Sequence, residues 1–268
     1  EPSVDMIGVD PRRFGVVSKN FAKIKNEEAY EHVFVNHFPM EERPAARPAK
    51  TTPIYHRLDE AGAVWGVRFG WERPNWFAPK GVAREDTYSY RRSNWFPHVG
   101  NEVKAMRERV GLMELSSFAK YEVEGPGARD WLDQMVANAI PKGIGRINLC
   151  HALNPSGSVR SEFTITRMAD GMYGERFFLI GPGAGHDYDW DFLIKSCPRD
   201  GSVFLKDITT QFGVLVLAGP DARKVMEKLA DADISNEAFP WLSMREIPVG
   251  FCPSVRALRV NFVGSLGW

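Results

Sequence analysis

Apolar and polar positions along this chain follow two periods. After Asn101, the residues Val103, Met106 and Val110 recur at helical spacing. Lys120 to Glu124 then alternates like a strand and is broken by Gly125-Pro126. Ala128, Trp131, Leu132, Met135 and Val136 follow at i, i+3, i+4, i+7 and i+8, the stripe of an amphipathic helix. The same plan recurs downstream: Val214 to Leu217 is a strand-like run, Gly219-Pro220 breaks it, and Ala222, Val225, Met226 and Leu229 form a helical face. VEGPGARDWLDQM, from Val123, and LAGPDARKVMEKL, from Leu217, align at an offset of 94 residues. The offset pairs Gly125 with Gly219, Pro126 with Pro220, Ala128 with Ala222, Arg129 with Arg223, and Ile140 with Ile234. Two copies of a strand–turn–helix unit explain this; chance likeness of two amphipathic segments is the competing reading. A true repeat implies an α+β body of two related lobes rather than a doubly wound sheet.

The remaining elements are shorter. Val16 to Tyr30 reads as a helix with Val17, Phe21, Ile24 and Glu28 on one face, and Tyr55 to Glu60 as a short helix ending near Gly62. Between them, Pro39, Pro44, Pro48 and Pro53 mark extended connecting chain, because proline fixes φ and lacks a donor. GWERPNWF (Gly70 to Phe77) and YSYRRSNWF (Tyr88 to Phe96) concentrate large aromatics beside arginines. Such a set can stack a base or a pterin, or pin an irregular segment by burying ring area. Asn154-Pro155-Ser156-Gly157 is a turn, with strands expected through Phe163, Ile165 and Arg167, over Phe177 to Ile180, and over Val255 to Phe262.

Composition narrows the class. The 34 basic and 34 acidic residues balance. That argues against nucleic acid as a partner, since phosphate neutralisation needs a basic excess. No apolar run is long enough to cross a bilayer. Cys150, Cys197 and Cys252 form no CxxC pair and read as reduced thiols. The first residue is not methionine and the last follows an apolar segment, so both ends read as cuts in a longer protein.

Candidate chemistry is sparse. GPGAG (Gly181 to Gly185) lacks the third glycine of a dinucleotide fingerprint, with His186 in its place and Pro182 removing an amide. None of the six histidines makes an HxxxH or HExxH pair, which gives no basis for a metal site, and GxSxG is absent. Glu162 stands out: it follows a tight turn within the otherwise uncharged run SEFTIT. A carboxylate there either enters a pocket and exchanges protons near neutrality, or sits solvated beside Arg160.

Several segments resemble one family: ERPAARP, GWERPNWF, RRSNWF, SSFAKYEVEGPGA, ALNPSGSVRSEFTITR, AGPDARKVMEKL and LRVNFVGSLGW. They are similar to the dimethylglycine dehydrogenase and sarcosine dehydrogenase family. There an FAD-dependent oxidoreductase region is joined to a region similar to the aminomethyltransferase of the glycine cleavage system. The resemblance implies residues 1–38 as the tail of the flavin domain, 39–90 as a central linking domain, and 91–268 as an incomplete aminomethyltransferase-like folate-binding domain. It implies that the parent enzyme passes a one-carbon unit from N-demethylation of a small amine to tetrahydrofolate, giving 5,10-methylenetetrahydrofolate. FAD would belong to the missing flavin domain of the same chain, so this segment alone would neither bind it nor oxidise the amine. The implied compartment is a bacterial cytoplasm or the mitochondrial matrix.

By the same resemblance Glu162 occupies the position of the family's acidic residue near the reactive folate nitrogens. Leu149 replaces a tyrosine thirteen residues earlier, and Trp268 belongs to a pterin-gripping GELGWE motif in which Ser265 replaces the first glutamate. Leu149 and Trp268 are therefore expected at the folate site with catalytic Glu162. The regulatory subunit of pyruvate dehydrogenase phosphatase resembles the same segments, so a non-catalytic binding module is the alternative.

Overall fold

A computed structural model describes residues 18–261 and 264–268. The chain divides into two units, residues 1–100 and 101–268.

In the first unit, α1 (Lys19–Glu31) starts at Ser18, whose hydroxyl accepts the Phe21 N–H at 3.1 Å. Val16 and Val17, expected in this helix, lie outside the described residues. Glu28 is buried on its inner face and accepts the Ala45 N–H at 2.7 Å and the Lys25 ammonium at 3.1 Å. Burial alone would raise this carboxyl, but those bonds outweigh it and hold it below the usual range.

After α2 (Tyr55–Glu60), β1 (Ala63–Arg68) pairs antiparallel with β2 (Trp71–Phe77). Their two-residue loop, Phe69-Gly70, has φ of 54° and 82°, the twist a tight hairpin requires. All of GWERPNWF after its loop glycine is thus a strand, where the sequence suggested an irregular segment. Its Pro74 is tolerated because the register shifts between Val64 and Trp65. Trp71 and Trp76 are buried, and the Trp76 ring stacks on His98 at 5.2 Å and donates to Asp86 at 2.7 Å.

The proline-rich segment is bonded to this hairpin at two carboxylates. Glu42 accepts from the Val67 N–H (3.0 Å), the Arg68 guanidinium (2.8 Å) and the Asn75 amide (2.9 Å). Arg47 donates through Nε and Nη2 to Glu72 at 3.0 and 2.6 Å. Two of the family-like motifs, ERPAARP and GWERPNWF, therefore meet each other.

The second unit is built on one antiparallel sheet. In chain order its strands are β4 (Ala119–Glu124), β5 (Ile147–Leu153), β6 (Val159–Arg167), β7 (Arg176–Gly181) and β8 (Phe204–Asp207), arranged β5-β6-β7-β4-β8. Tyr121, Val123, Cys150, Ala152, Phe163, Ile165, Phe177 and Leu179 project from one face and are fully buried. Against them pack Ala128, Trp131 and Leu132 of α4 (Ala128–Met135) and Leu193 of α5 (His186–Ser196). The Tyr121 hydroxyl donates to the His186 carbonyl at 2.9 Å, and its ring stacks on His186 and Trp190.

The second copy of the unit is β9 (Leu215–Ala218) and α6 (Ala222–Leu229), whose helix bounds repeat those of α4 at the same offset. Gly125 and Gly219 take φ of 137° and 129°, and an added Cβ would meet the carbonyls of Ser202 at 2.3 Å and Arg109 at 2.5 Å. Ile140 and Ile234 are both buried. β9 pairs with β3 (Gly111–Glu114), which follows α3 (Phe96–Glu108). Val110, expected on the α3 face, lies past its end. The hairpin β10 (Ser243–Val249) and β11 (Cys252–Arg259) completes the second lobe. β11 begins at Cys252, earlier than the sequence suggested, and Phe262 lies outside the described residues.

Two expectations follow. Arg47→Ala leaves Glu72 buried and unpaired, and should destabilise the first unit by about 3 kcal/mol or more; limited proteolysis across residues 39–53 and denaturant midpoints check this. Asp189, at 1% exposure, has its carboxyl pushed up to about 6, mainly by burial and against the pull of Ser161, Arg160 and His186. A carboxyl raised above its unfolded value near 4 binds its proton more tightly when folded, so stability falls as pH rises from about 4 to about 6. Asp189→Asn removes that dependence and should gain on the wild type by on the order of 2–3 kcal/mol between pH 4 and pH 7, read from unfolding curves at both.

Candidate functional site

Because side chains alternate along a strand, burial of one sheet face determines the other. The face opposite α4 and α5 carries Ile147, Leu149 and His151 of β5, Glu162, Thr164 and Thr166 of β6, and Phe178 and Ile180 of β7. One end is covered: Ile147 and Phe178 are buried with Met168, Ile208 and Met244, the last from β10. The other end is open. Leu149 is 47% exposed, and the side chains of His151 and Glu162 are 36% and 51% exposed.

Register places these groups together. His151 pairs directly with Glu162 and Leu149 with Thr164, so Leu149 is a diagonal neighbour of the carboxylate. Glu162 Oε2 lies 3.0 Å from His151 Nε2. The register shift after Ala152 skips Arg160, and the irregularity turns that side chain to the opposite face, its guanidinium 3.6 Å from the Tyr188 ring centre. Glu162 thus faces His151 rather than the Arg160 that precedes it in sequence.

Trp268 lies elsewhere. It exchanges two backbone hydrogen bonds with Leu217 at 2.9 Å each, extending the β3–β9 pair. Its ring is buried edge-on to Phe239, with the Arg223 and Arg259 guanidiniums at 5.3 and 5.9 Å from its centre. The structure therefore brings Glu162 and Leu149 together and places Trp268 in the core of the second lobe. A cavity of about 380 Å³ in that lobe is lined by Arg223, Glu227, Asp233, Ser235 and Asn236 among others, and by neither Glu162 nor Leu149.

No sequence pattern singles out His151 or Asn138. Asn138 Oδ1 accepts the His151 N–H at 3.1 Å and lies 3.2 Å from His151 Nδ1. The Asn154–Gly157 turn signals that β5 and β6 pair, but a plain hairpin about it would set His151 opposite Arg160 or Ser161; the register shift after Ala152 brings Glu162 there instead.

The glycine loop after β7 makes no phosphate cradle. It enters α5 with Asp187 and Asp189 in the first turn, and Asp189 Oδ2 would sit 3.2 and 2.9 Å from a Cβ at Gly181 and Gly185. Carboxylates in that place repel a phosphate. These residues do not fit the pyrophosphate of FAD. Among the described residues no three His, Cys, Asp or Glu side chains gather as a metal site. No described helix is long and apolar enough to cross a membrane.

Comparison with known proteins follows this geometry. Residues 54–268 match the family model described as GCVT N-terminal domain, and residues 1–52 match the FAD dependent oxidoreductase central domain. Mitochondrial dimethylglycine dehydrogenase of Rattus norvegicus is 36% identical over 271 residues, covering 100% of this chain and 31% of the relative. The mitochondrial pyruvate dehydrogenase phosphatase regulatory subunit of Mus musculus is 30% identical over 274 residues, again with 100% and 31% coverage. The chain thus spans about a third of the length of these relatives. The glycine cleavage system aminomethyltransferase T from Bartonella henselae superposes with a TM-score of 0.59 at 23% identity, over 82% of this chain and 52% of that one, a likeness of fold. With most of its length under one family model and an α+β architecture to match, the chain belongs to the GCVT N-terminal domain family, preceded by residues of an FAD-dependent oxidoreductase central domain.

Proposed function

We propose that the open end of the β5–β6–β7 face receives the pterin of tetrahydrofolate and that the whole protein passes a one-carbon unit to it from N-demethylation of a small methylated amine. The observation that carries this reading is one juxtaposition. A carboxylate and a leucine are neighbours on the half-exposed end of a sheet face whose reverse is solid core. A flat heterocycle suits such a surface: Leu149 and Ile180 supply methyl groups, while Thr164 and Glu162 supply polar ones. Trp268 would contribute indirectly, by holding Arg223, Arg259 and the edge of β9 in place.

In this reading Glu162 moves protons. An iminium carbon and a tetrahydrofolate bearing two reactive N–H groups give the methylene-bridged folate, a secondary amine and one released proton. One N–H proton goes to the departing amine and the other to solvent. A carboxylate that takes a proton and gives it back serves both transfers. The iminium would come from the flavin part of the parent protein, where FAD supplies the oxidation. Residues 1–38 would be the tail of that part, 39–90 its link, and 91–268 the folate region, set in a mitochondrial matrix or bacterial cytoplasm. Similarity to the phosphatase regulatory subunit supports a second reading, a binding module without turnover.

Two measurements separate these readings. In the intact protein, Glu162→Gln should lower methylenetetrahydrofolate formation by about 100-fold or more while amine oxidation stays within about twofold. Equal loss of both activities removes the assignment, and absence of any amine oxidation in the wild type favours the regulatory reading. Leu149→Asp places a second carboxylate on the pterin surface. It should weaken reduced-folate binding by about tenfold in calorimetric titration, from lost apolar contact alone.

A further inference from the structure

The surroundings of His151 determine where its protons sit. The His151 backbone N–H can only donate, so the Asn138 atom facing it at 3.1 Å is the amide oxygen. That oxygen also lies 3.2 Å from Nδ1, which must then carry hydrogen. In a neutral imidazole with Nδ1–H, Nε2 presents a lone pair. Glu162 Oε2 stands 3.0 Å from Nε2, and an ionised carboxylate also offers only lone pairs. Two acceptors held at hydrogen-bond distance require one proton between them, as imidazolium and carboxylate or as imidazole and carboxylic acid.

Backbone pairing holds the arrangement in place. His151 and Glu162 are directly opposed across β5 and β6, and the Ala137 N–H donates to the His151 carbonyl at 3.0 Å, fixing the segment that carries Asn138. Asn138 follows the end of α4, whose Ala128, Trp131 and Leu132 are buried in the sheet core.

We propose that Asn138, His151 and Glu162 form a relay holding a single proton, in which His151 is the positioning residue of Glu162. His151 occupies Oε2 and stores the proton there, which leaves Oε1 to face an incoming amine nitrogen. When Glu162 takes a proton from an N–H group of the acceptor, the shared proton shifts onto Nε2. When the leaving amine is protonated, it shifts back. No oxidant or further reactant is needed, and proton number is conserved at each transfer. This inference rests on the folate reading of the same sheet face and extends it to two residues that the reading did not include.

The test uses the intact protein with 15N-labelled histidine, the His151 signals being those lost in His151→Gln. Imidazole 15N shifts in the wild type should show Nδ1 protonated and Nε2 in a strong hydrogen bond to a shared proton. Glu162→Gln, which can donate an amide N–H to Nε2, should leave Nδ1 protonated and abolish the shared-proton signature. Asn138→Ala should release the tautomer toward Nε2–H. With transfer measured alongside, His151→Gln and Asn138→Ala should each slow methylenetetrahydrofolate formation about tenfold. Folate affinity should change less than about threefold and amine oxidation should be unchanged, whereas a merely structural role would move all three together. A wild-type Nε2–H tautomer that ignores Asn138→Ala overturns the relay, whatever folate does. A relay visible by NMR in a protein whose Glu162→Gln variant transfers normally overturns the folate assignment, and the positioning role with it.

Discussion

The packing of one sheet face against two helices is the constraint from which the rest of the second unit follows. Phe163, Ile165, Phe177, Leu179 and Tyr121 are removed from water together, over Trp131, Leu132 and Leu193. Each fully buried side chain of this size contributes roughly 1.5–3 kcal/mol relative to exposure. Slipping β6 by one residue would carry Phe163 and Ile165 to the open face and draw Glu162 into the core. The register that keeps the core dry is the same register that holds Glu162 opposite His151. Site and stability here are two consequences of one alternation.

The repeat shows how similar backbones acquire different surroundings. In the first lobe Arg129 and Arg167 share the carboxylate of Glu175, Arg129 at 2.8 and 2.7 Å and Arg167 at 3.0 Å. In the second, Arg223 and Arg259 meet on the neutral amide oxygen of Asn236 at 2.8 and 2.7 Å. Both guanidiniums also lie over the buried Trp268 ring, whose electron-rich face attracts cations. The Gly-Pro turn and the helix are common to both copies, while the charge beside the helix is not. An amphipathic stripe and a glycine at positive φ specify the unit, and what the unit packs against specifies its electrostatics.

The first unit is held in a different way. A proline-rich stretch cannot join a ladder along its length, so side chains bind it instead. Glu42 of the stretch accepts hydrogen bonds from the β1–β2 hairpin, Glu72 of the hairpin accepts two from Arg47 of the stretch, and Glu28 reaches the same stretch from α1. Arginines and glutamates that look solvated in sequence are therefore structural. The aromatics divide similarly: Trp71 and Trp76 are buried as packing groups, while Tyr90 stays 64% exposed.

By itself the sequence determined the local elements and their duplication. The bounds of α2, α4 and α6, the turn at Asn154–Gly157 and the strand through Phe163 and Ile165 follow from short-range periodicity and from glycine and proline chemistry, which need no distant partner. Glu162 was legible as an unusual acid, and Leu149 and Trp268 entered only through family likeness. Tertiary structure decided the rest. GWERPNWF became a strand because β1 pairs with it, against the expectation that proline and tryptophan raise. Arg160, adjacent in sequence, turned away at a strand irregularity, while His151, eleven residues upstream of Glu162, came to face it. Trp268 went into a core instead of beside Glu162. Pair register, strand irregularities and the choice of buried face are set by contacts between residues far apart in the chain, and a one-dimensional pattern carries no distances between them.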